Sequence, residues 1–221
     1  MIPYTRSIIC TLAKGGIDIR IIVGLEAHDG TGKSTTAVEI SKLFNGSVFF
    51  TNEQIKEKRS NIYRNKSMTH SEKMQAVEKT YEEEKLEFHE KMNDDFVVLD
   101  RTWYSHTVEE NVMDVLDKES ERTYPTNTVP DDVIHPDFVF QIIIPEDERQ
   151  KRVKERGEEL TPRDHRLNND DIYRNMLEKE RERVGCKTLR LRLRYPEVCA
   201  LRAAQVLLGN PAIPPLKLVN N

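Results

Sequence analysis

Ala27-His28-Asp29-Gly30-Thr31-Gly32-Lys33-Ser34 is the stretch on which the reading of this 221-residue chain turns. It follows an apolar run, Ile19–Leu25, and opens a charged periodic stretch, Lys33–Phe44, so it joins a strand to a helix. Gly30 and Gly32 let the backbone curl until successive N–H groups point into one concavity, and the start of the helix adds partial positive charge. Lys33 is placed to reach the β- and γ-phosphates of a nucleoside triphosphate, and the Ser34 hydroxyl to ligate Mg²⁺. The usual first glycine of such a P-loop is Ala27 here, so the pattern is relaxed. A glycine-rich turn with a helix cap is the competing reading, and the strand–loop–helix setting favours the nucleotide. Asp29, Gly30, Thr31, Gly32, Lys33, Ser34 and Thr35 are therefore the expected ATP-binding segment. His28 is expected to face solvent rather than act as a base.

Outward from this loop, short β-branched runs alternate with charged helical stretches. The predicted strands are Ile19–Leu25, Ser47–Phe50, Phe96–Leu99, Phe138–Ile144 and Thr188–Leu193. The first, third and fourth are nearly continuous in apolar character, as parallel strands covered on both faces are. Helices are predicted over Lys33–Phe44, Ser71–Met92, Tyr104–Leu116, Glu146–Arg156, Asp170–Arg183 and Glu197–Leu207, the first stopping at Asn45-Gly46. This alternation predicts an α/β fold, a five-stranded parallel sheet with helices on both faces. One domain is expected over 18–208, with an N-terminal extension over 1–17 and a loose, Pro-rich tail over 209–221.

Two further segments carry chemistry. Phe96-Val97-Val98-Leu99-Asp100-Arg101 is an apolar strand ending in an acid, the place from which a carboxylate reaches a metal at the edge of a sheet. Arg101 would then point to where two phosphate groups meet. The alternative is an Asp–Arg surface pair worth well under ~1 kcal/mol. The basic stretch Arg149–Arg166 puts Arg149, Arg152 and Arg156 on one helical face. Lys151 and Lys154 read as a solvated face. Arg152, Arg156 and Arg163, beside Gly157 and a polar loop, read as a phosphate-closing lid over about 157–169, because planar arginines stabilise spread negative charge bidentately.

Composition narrows the classes. The 34 Lys+Arg against 38 Asp+Glu give a net charge of −4, too weak and of the wrong sign to hold nucleic acid by bulk electrostatics. No apolar run approaches the length that spans a membrane. Cys10, Cys186 and Cys199 form no CxxC pair, which excludes a disulfide scaffold or cysteine zinc site and suits an intracellular, cytoplasmic setting. The first twenty residues, with Arg6, Lys14 and Arg20, faintly resemble a mitochondrial presequence, the alternative being a plain N-terminal extension.

Gly24-Leu25-Glu26 running into the P-loop, Asp100-Arg101 with Ser105 after it, and Lys151-Arg152-Val153-Lys154-Glu155-Arg156-Gly157 together resemble the thymidylate kinase family over about 21–208. Asp100-Arg101-Thr102-Trp103-Tyr104-Ser105 is most similar to the branch containing the mitochondrial UMP-CMP kinase. The resemblance implies a homodimer that transfers phosphate from MgATP to a pyrimidine nucleoside monophosphate such as dTMP, UMP, CMP or dCMP. By position it implies that Asp29 approaches the acceptor sugar, Arg101 bridges donor and acceptor phosphates, and Arg152 lies near the adenine. Metal ligands would be Ser34 and Asp100. Some members carry a catalytic arginine where this chain has Gly30, so Arg156 or Arg163 of the lid is expected to supply it. The family's Arg-Glu-Pro-Gly segment is replaced by Thr51-Asn52-Glu53-Gln54, leaving Arg59 and Arg64 as candidates for the acceptor phosphate. Arg59, Arg101, Trp103 and Ser105 are the expected acceptor-side residues. Trp103 is read equally as a wall of the acceptor pocket or as core beneath the sheet edge, and Tyr81 as a stacking platform or core. The rival function is a degenerate P-loop protein that binds nucleotide without transferring phosphate.

Overall fold

The computed structural model describes residues 12–13, 16–17, 20–117, 130–157, 162–190 and 195–210. In chain order the strands are β1 (Leu12–Ala13), β2 (Gly16–Ile17), β3 (Ile21–Ala27), β4 (Ser47–Phe50), β5 (Phe96–Asp100), β6 (Phe138–Ile143) and β7 (Lys187–Arg190). The helices are α1 (Lys33–Leu43), α2 (Glu53–Arg64), α3 (His70–Lys91), α4 (Trp103–Asp117), α5 (Glu146–Arg156), α6 (Pro162–Asn169), α7 (Asp171–Arg183) and α8 (Pro196–Leu208). β1 and β2 form a small antiparallel pair, while the main sheet has the order β4-β5-β3-β6-β7, every pairing parallel.

β3 is the central strand, and its side chains split by the two-residue period of a strand. Ile21, Val23, Leu25 and Ala27 enter a cluster with Ile40 of α1 and Ala203 and Leu207 of α8. Complete burial of Leu25 and Ile40 stabilises the fold by about 1.5–3 kcal/mol each. The opposite face meets Phe49 and Phe88 at the β4 edge, and α4 and α7 further along. Helices therefore cover both faces, as the pattern predicted.

All five predicted strands of the sheet and all six predicted helices are present, with ends shifted by a few residues. The strand predicted to run to Leu193 is described only to Arg190, because 191–194 lie outside the described residues. Two helices were not foreseen. α2 has a weak apolar stripe, with Ile55 its one buried side chain, and is launched by the Asn52 side chain accepting from the Ile55 N–H at 2.8 Å. α6 starts at Pro162 within the expected lid, where proline suits the first helical turn. α3 begins with a reciprocal cap, Thr69 and Glu72 each bonding the other's backbone. Most of the N-terminal extension, the presequence reading and most of the tail fall outside the described residues. Among the described residues no helix is long and apolar enough to cross a membrane.

Candidate active site

β3 and β5 are neighbours, so the P-loop leaving Ala27 and the turn leaving Asp100 emerge side by side at the carboxyl edge of the sheet. The Ser34 hydroxyl donates to Asp100 Oδ2, and the Lys33 ammonium pairs with Asp100 Oδ1. Arg101 donates through Nη2 to Asp29 Oδ1. Lys33 is 8% exposed. Burial, and then the positive charge of Arg101, push its pKa well below the ordinary lysine value against the pull of Glu26 and Asp29.

Arg101 has φ +85, the left-handed region that non-glycine residues seldom adopt. The strained turn is held from beneath. Glu26 of β3, fully buried, accepts from the Thr102 N–H at 2.8 Å, the Thr102 hydroxyl at 2.7 Å and the Ser105 hydroxyl. A Cβ on Gly24 would lie 2.4 Å from the Thr102 methyl, so the close approach of this turn to β3 requires glycine. Sequence reasoning gave Glu26 no role. The available signal was an acid inside an otherwise apolar strand, which a fold tolerates only when its oxygens are satisfied.

α5 clamps the other side of the P-loop. Arg149, 3% exposed, bonds both oxygens of Glu146 at 2.7 and 2.6 Å, the Asn168 side chain at 2.6 Å, and the Asp29 carbonyl at 3.1 Å. Burial alone would raise the Glu146 carboxyl, but hydrogen bonds from Arg149 and Gln150, with the charges of Arg149 and Arg174, hold it below the usual value. Arg152 reaches the Thr31 carbonyl at 3.3 Å and Glu148 at 3.0 Å. Gly30, at φ +87, packs so tightly here that a Cβ would sit 2.8 Å from both the Arg149 carbonyl and a Val153 methyl.

A cavity of about 350 Å³ lies over these groups. The P-loop from His28 to Ser34 lines it, with Asp100, Arg101 and Ser105 from the second turn, Arg59 from α2 and Arg156 from α5. Thr35, exposed, and Arg152 are not among its lining residues, nor is Arg64. Arg163 falls in α6, its side chain outside the described residues.

Two expectations are corrected. His28 is 5% exposed, not solvent-facing, because Arg181 and Glu178 of α7 pack against its ring at 3.5 and 3.8 Å. Trp103 does not line the cavity. It is 5% exposed and packed edge-on against Tyr81 at 4.9 Å, with Val77 and Val133 in the same cluster. Tyr81, from the ambiguous helical register, does reach the cavity while staying 8% exposed. The stretch 157–169, expected to act as a lid, contains α6.

No family model matches the chain, and no curated protein matches it either. Solved structures do. A deoxyadenosine kinase from M. mycoides matches with a TM-score of 0.56 at 18% identity, over 86% of this chain and 99% of that one. A thymidylate kinase from Candida albicans matches with a TM-score of 0.57 at 15% identity, over 91% of this chain and 98% of that one. YorR from Bacillus subtilis, in complex with phosphorylated GDP, follows at 0.50 and 16%, over 84% and 94%. The likeness is one of fold. Two of these neighbours are a nucleoside kinase and a nucleotide kinase, and none supports the narrower mitochondrial UMP-CMP kinase branch.

Proposed function

We propose that this chain is an ATP-dependent kinase that transfers the γ-phosphate to a pyrimidine nucleoside monophosphate. The observation carrying this reading is a single cavity that joins Lys33 and Ser34 of the P-loop to Arg101, with Arg59 and Tyr81 contributed by α2 and α3. Lys33 would hold the β- and γ-phosphates, and Arg101 would lie between donor and acceptor phosphates while Asp29 turns to the acceptor sugar. The attacking phosphate oxygen is already anionic, so no strong general base is required. Gly30 has no room for an arginine, which supports Arg156 and Arg163 of the lid as the groups that neutralise charge in the transition state. Arg152 would lie near the adenine.

Among the described residues no group of three or more His, Cys, Asp or Glu could hold a metal unaided. Ser34 and Asp100 nevertheless fit Mg²⁺, since their hard oxygens already touch and this ion takes one or two protein ligands beside phosphates and water. Ser34 and Asp100 would hold the ion beside the nucleotide, where its charge would offset that of the phosphates.

The pyrimidine preference rests on the resemblance of Asp100–Ser105 to the thymidylate kinase family. Residues 18–208 would form the catalytic domain, assembled as a homodimer, which light scattering tests. ADP release is to be measured with dTMP, UMP, CMP, dCMP, AMP and GMP at equal concentration, comparing kcat/KM. A pyrimidine nucleotide should win. AMP or GMP winning overturns the base assignment, and ATP binding with no acceptor turned over means a degenerate nucleotide-binding protein.

A further inference from the structure

Resting on that reading, a site that takes a nucleotide rather than a nucleoside as acceptor needs a cation for the acceptor phosphate. The segment after β4, Thr51-Asn52-Glu53-Gln54, offers no arginine. Of the two candidates, Arg64 is exposed and does not line the cavity. Arg59 lines it but is already engaged. Its Nε donates to the Thr80 hydroxyl at 2.7 Å, its Nη2 to Glu84 at 2.9 Å, and its guanidinium lies 3.7 Å from the Tyr81 ring centre. Glu84 is 7% exposed, so pulling Arg59 away would strand a buried carboxylate, a strongly unfavourable change.

A second cation stands nearly one turn earlier on α2. Lys56 lines the same cavity as Lys33 and Arg101, and its charge helps depress the Lys33 pKa, so its field reaches the P-loop. Its partner is Glu53 at 2.8 Å, with side chains 51% and 88% exposed. An exposed pair of this kind is worth well under ~1 kcal/mol and yields readily to a dianion. The other acids facing the cavity have partners of their own: Asp29 binds Arg101, Asp100 binds Lys33, and Glu109 accepts from the Tyr173 hydroxyl at 3.2 Å. Lysine also suits the task mechanically, being a point charge on a flexible stem that can follow a phosphate as a site closes.

We propose that Lys56 is the side chain that holds the 5′-phosphate of the acceptor, and so makes this site prefer nucleoside monophosphates to nucleosides. Arg59 instead positions Tyr81 and Glu84 around it.

The test uses the full chain with Lys56→Met and Lys56→Arg. Both should fold, because the side chain is half exposed, and a thermal melt checks this. With the best monophosphate of the panel at saturating MgATP, Lys56→Met should raise the acceptor KM about tenfold or more, with KM for ATP and kcat changed by less than about threefold. Lys56→Arg should recover most of the loss, and kcat/KM for the matching nucleoside should not move. An acceptor KM change below about threefold, or an equal loss with the nucleoside, overturns the assignment. Calorimetry separates this from the kinase reading. With the β,γ-imido analogue of ATP bound, the wild-type chain should bind the monophosphate more tightly than its nucleoside, and Lys56→Met should erase the difference. No preference in the wild type overturns the role of Lys56. A Lys56-dependent preference without turnover upholds that role and overturns only the kinase.

Discussion

Arg101 combines strain and chemistry in one residue. Its left-handed backbone costs roughly 1 kcal/mol relative to glycine, and its guanidinium spans the gap to Asp29. Arg101→Gly should therefore be inactive yet about 1 kcal/mol more stable than Arg101→Ala, which loses the same guanidinium and keeps the strain. Urea unfolding of the two variants decides this, and equal stabilities would mean that the turn is not strained. Lys33→Ala should lower kcat by at least about 10²-fold, the scale for removing a preorganised charge at a transferring phosphate. Its melting temperature should fall while the fold persists, because the buried Asp100 carboxylate loses its counter-charge. Near-normal kcat in the folded variant would remove the P-loop assignment.

Among the elements, α5 does two jobs with one periodicity. Arg149 faces inward and fixes the Asp29 carbonyl, Arg152 touches the Thr31 carbonyl, and Arg156 reaches the cavity. Alanine at both Arg156 and Arg163 should cut kcat by about 10³-fold or more while changing KM little, within the range for transition-state arginines. A loss below about tenfold would place the catalytic arginine elsewhere. Glu146 gives α5 a pH signature. Its folded pKa is depressed, so its contribution is fully present above the ordinary carboxylate pKa and disappears as pH falls through the folded value. The stability gap between wild type and Glu146→Gln should be about 1 kcal/mol at neutral pH and close on acidification, as denaturant curves from neutral to acid pH would record. A gap that widens in acid would reverse the sign assigned here. The periodicity of α5 was plain in the sequence, and so was the facing of its arginines. What each arginine touches was not, because one partner of Arg149 is a backbone carbonyl 120 residues away. α2 escaped notice for a related reason: its apolar stripe amounts to Ile55 and Ile62, too sparse to read among charged neighbours.

For the whole molecule, the sheet was legible because parallel strands covered on both faces are apolar along most of their length, as Phe96–Leu99 is. The placement of His28 and Trp103 was not, since burial of a polar or aromatic side chain is decided by α7 and α3, which come later or fold over from elsewhere. The same enclosure governs Cys186 and Cys199. Burial pushes the Cys199 thiol up to about 11 and the Cys186 thiol higher still. Iodoacetamide at pH 8 should leave both unmodified in the native chain, and peptide mass spectrometry should find both labelled in denaturant. Labelling of either in the native chain would mean that its cover opens locally. The clamp of Arg149 on Asp29 has a consequence for how the protein comes into being. The loop is synthesised early, yet its floor at Glu26 must wait for Thr102 and Ser105, and its brace must wait for α5. A nascent chain leaving the ribosome therefore carries the whole Ala27–Ser34 segment long before that segment has its floor and its brace, and only translation past α5 completes both.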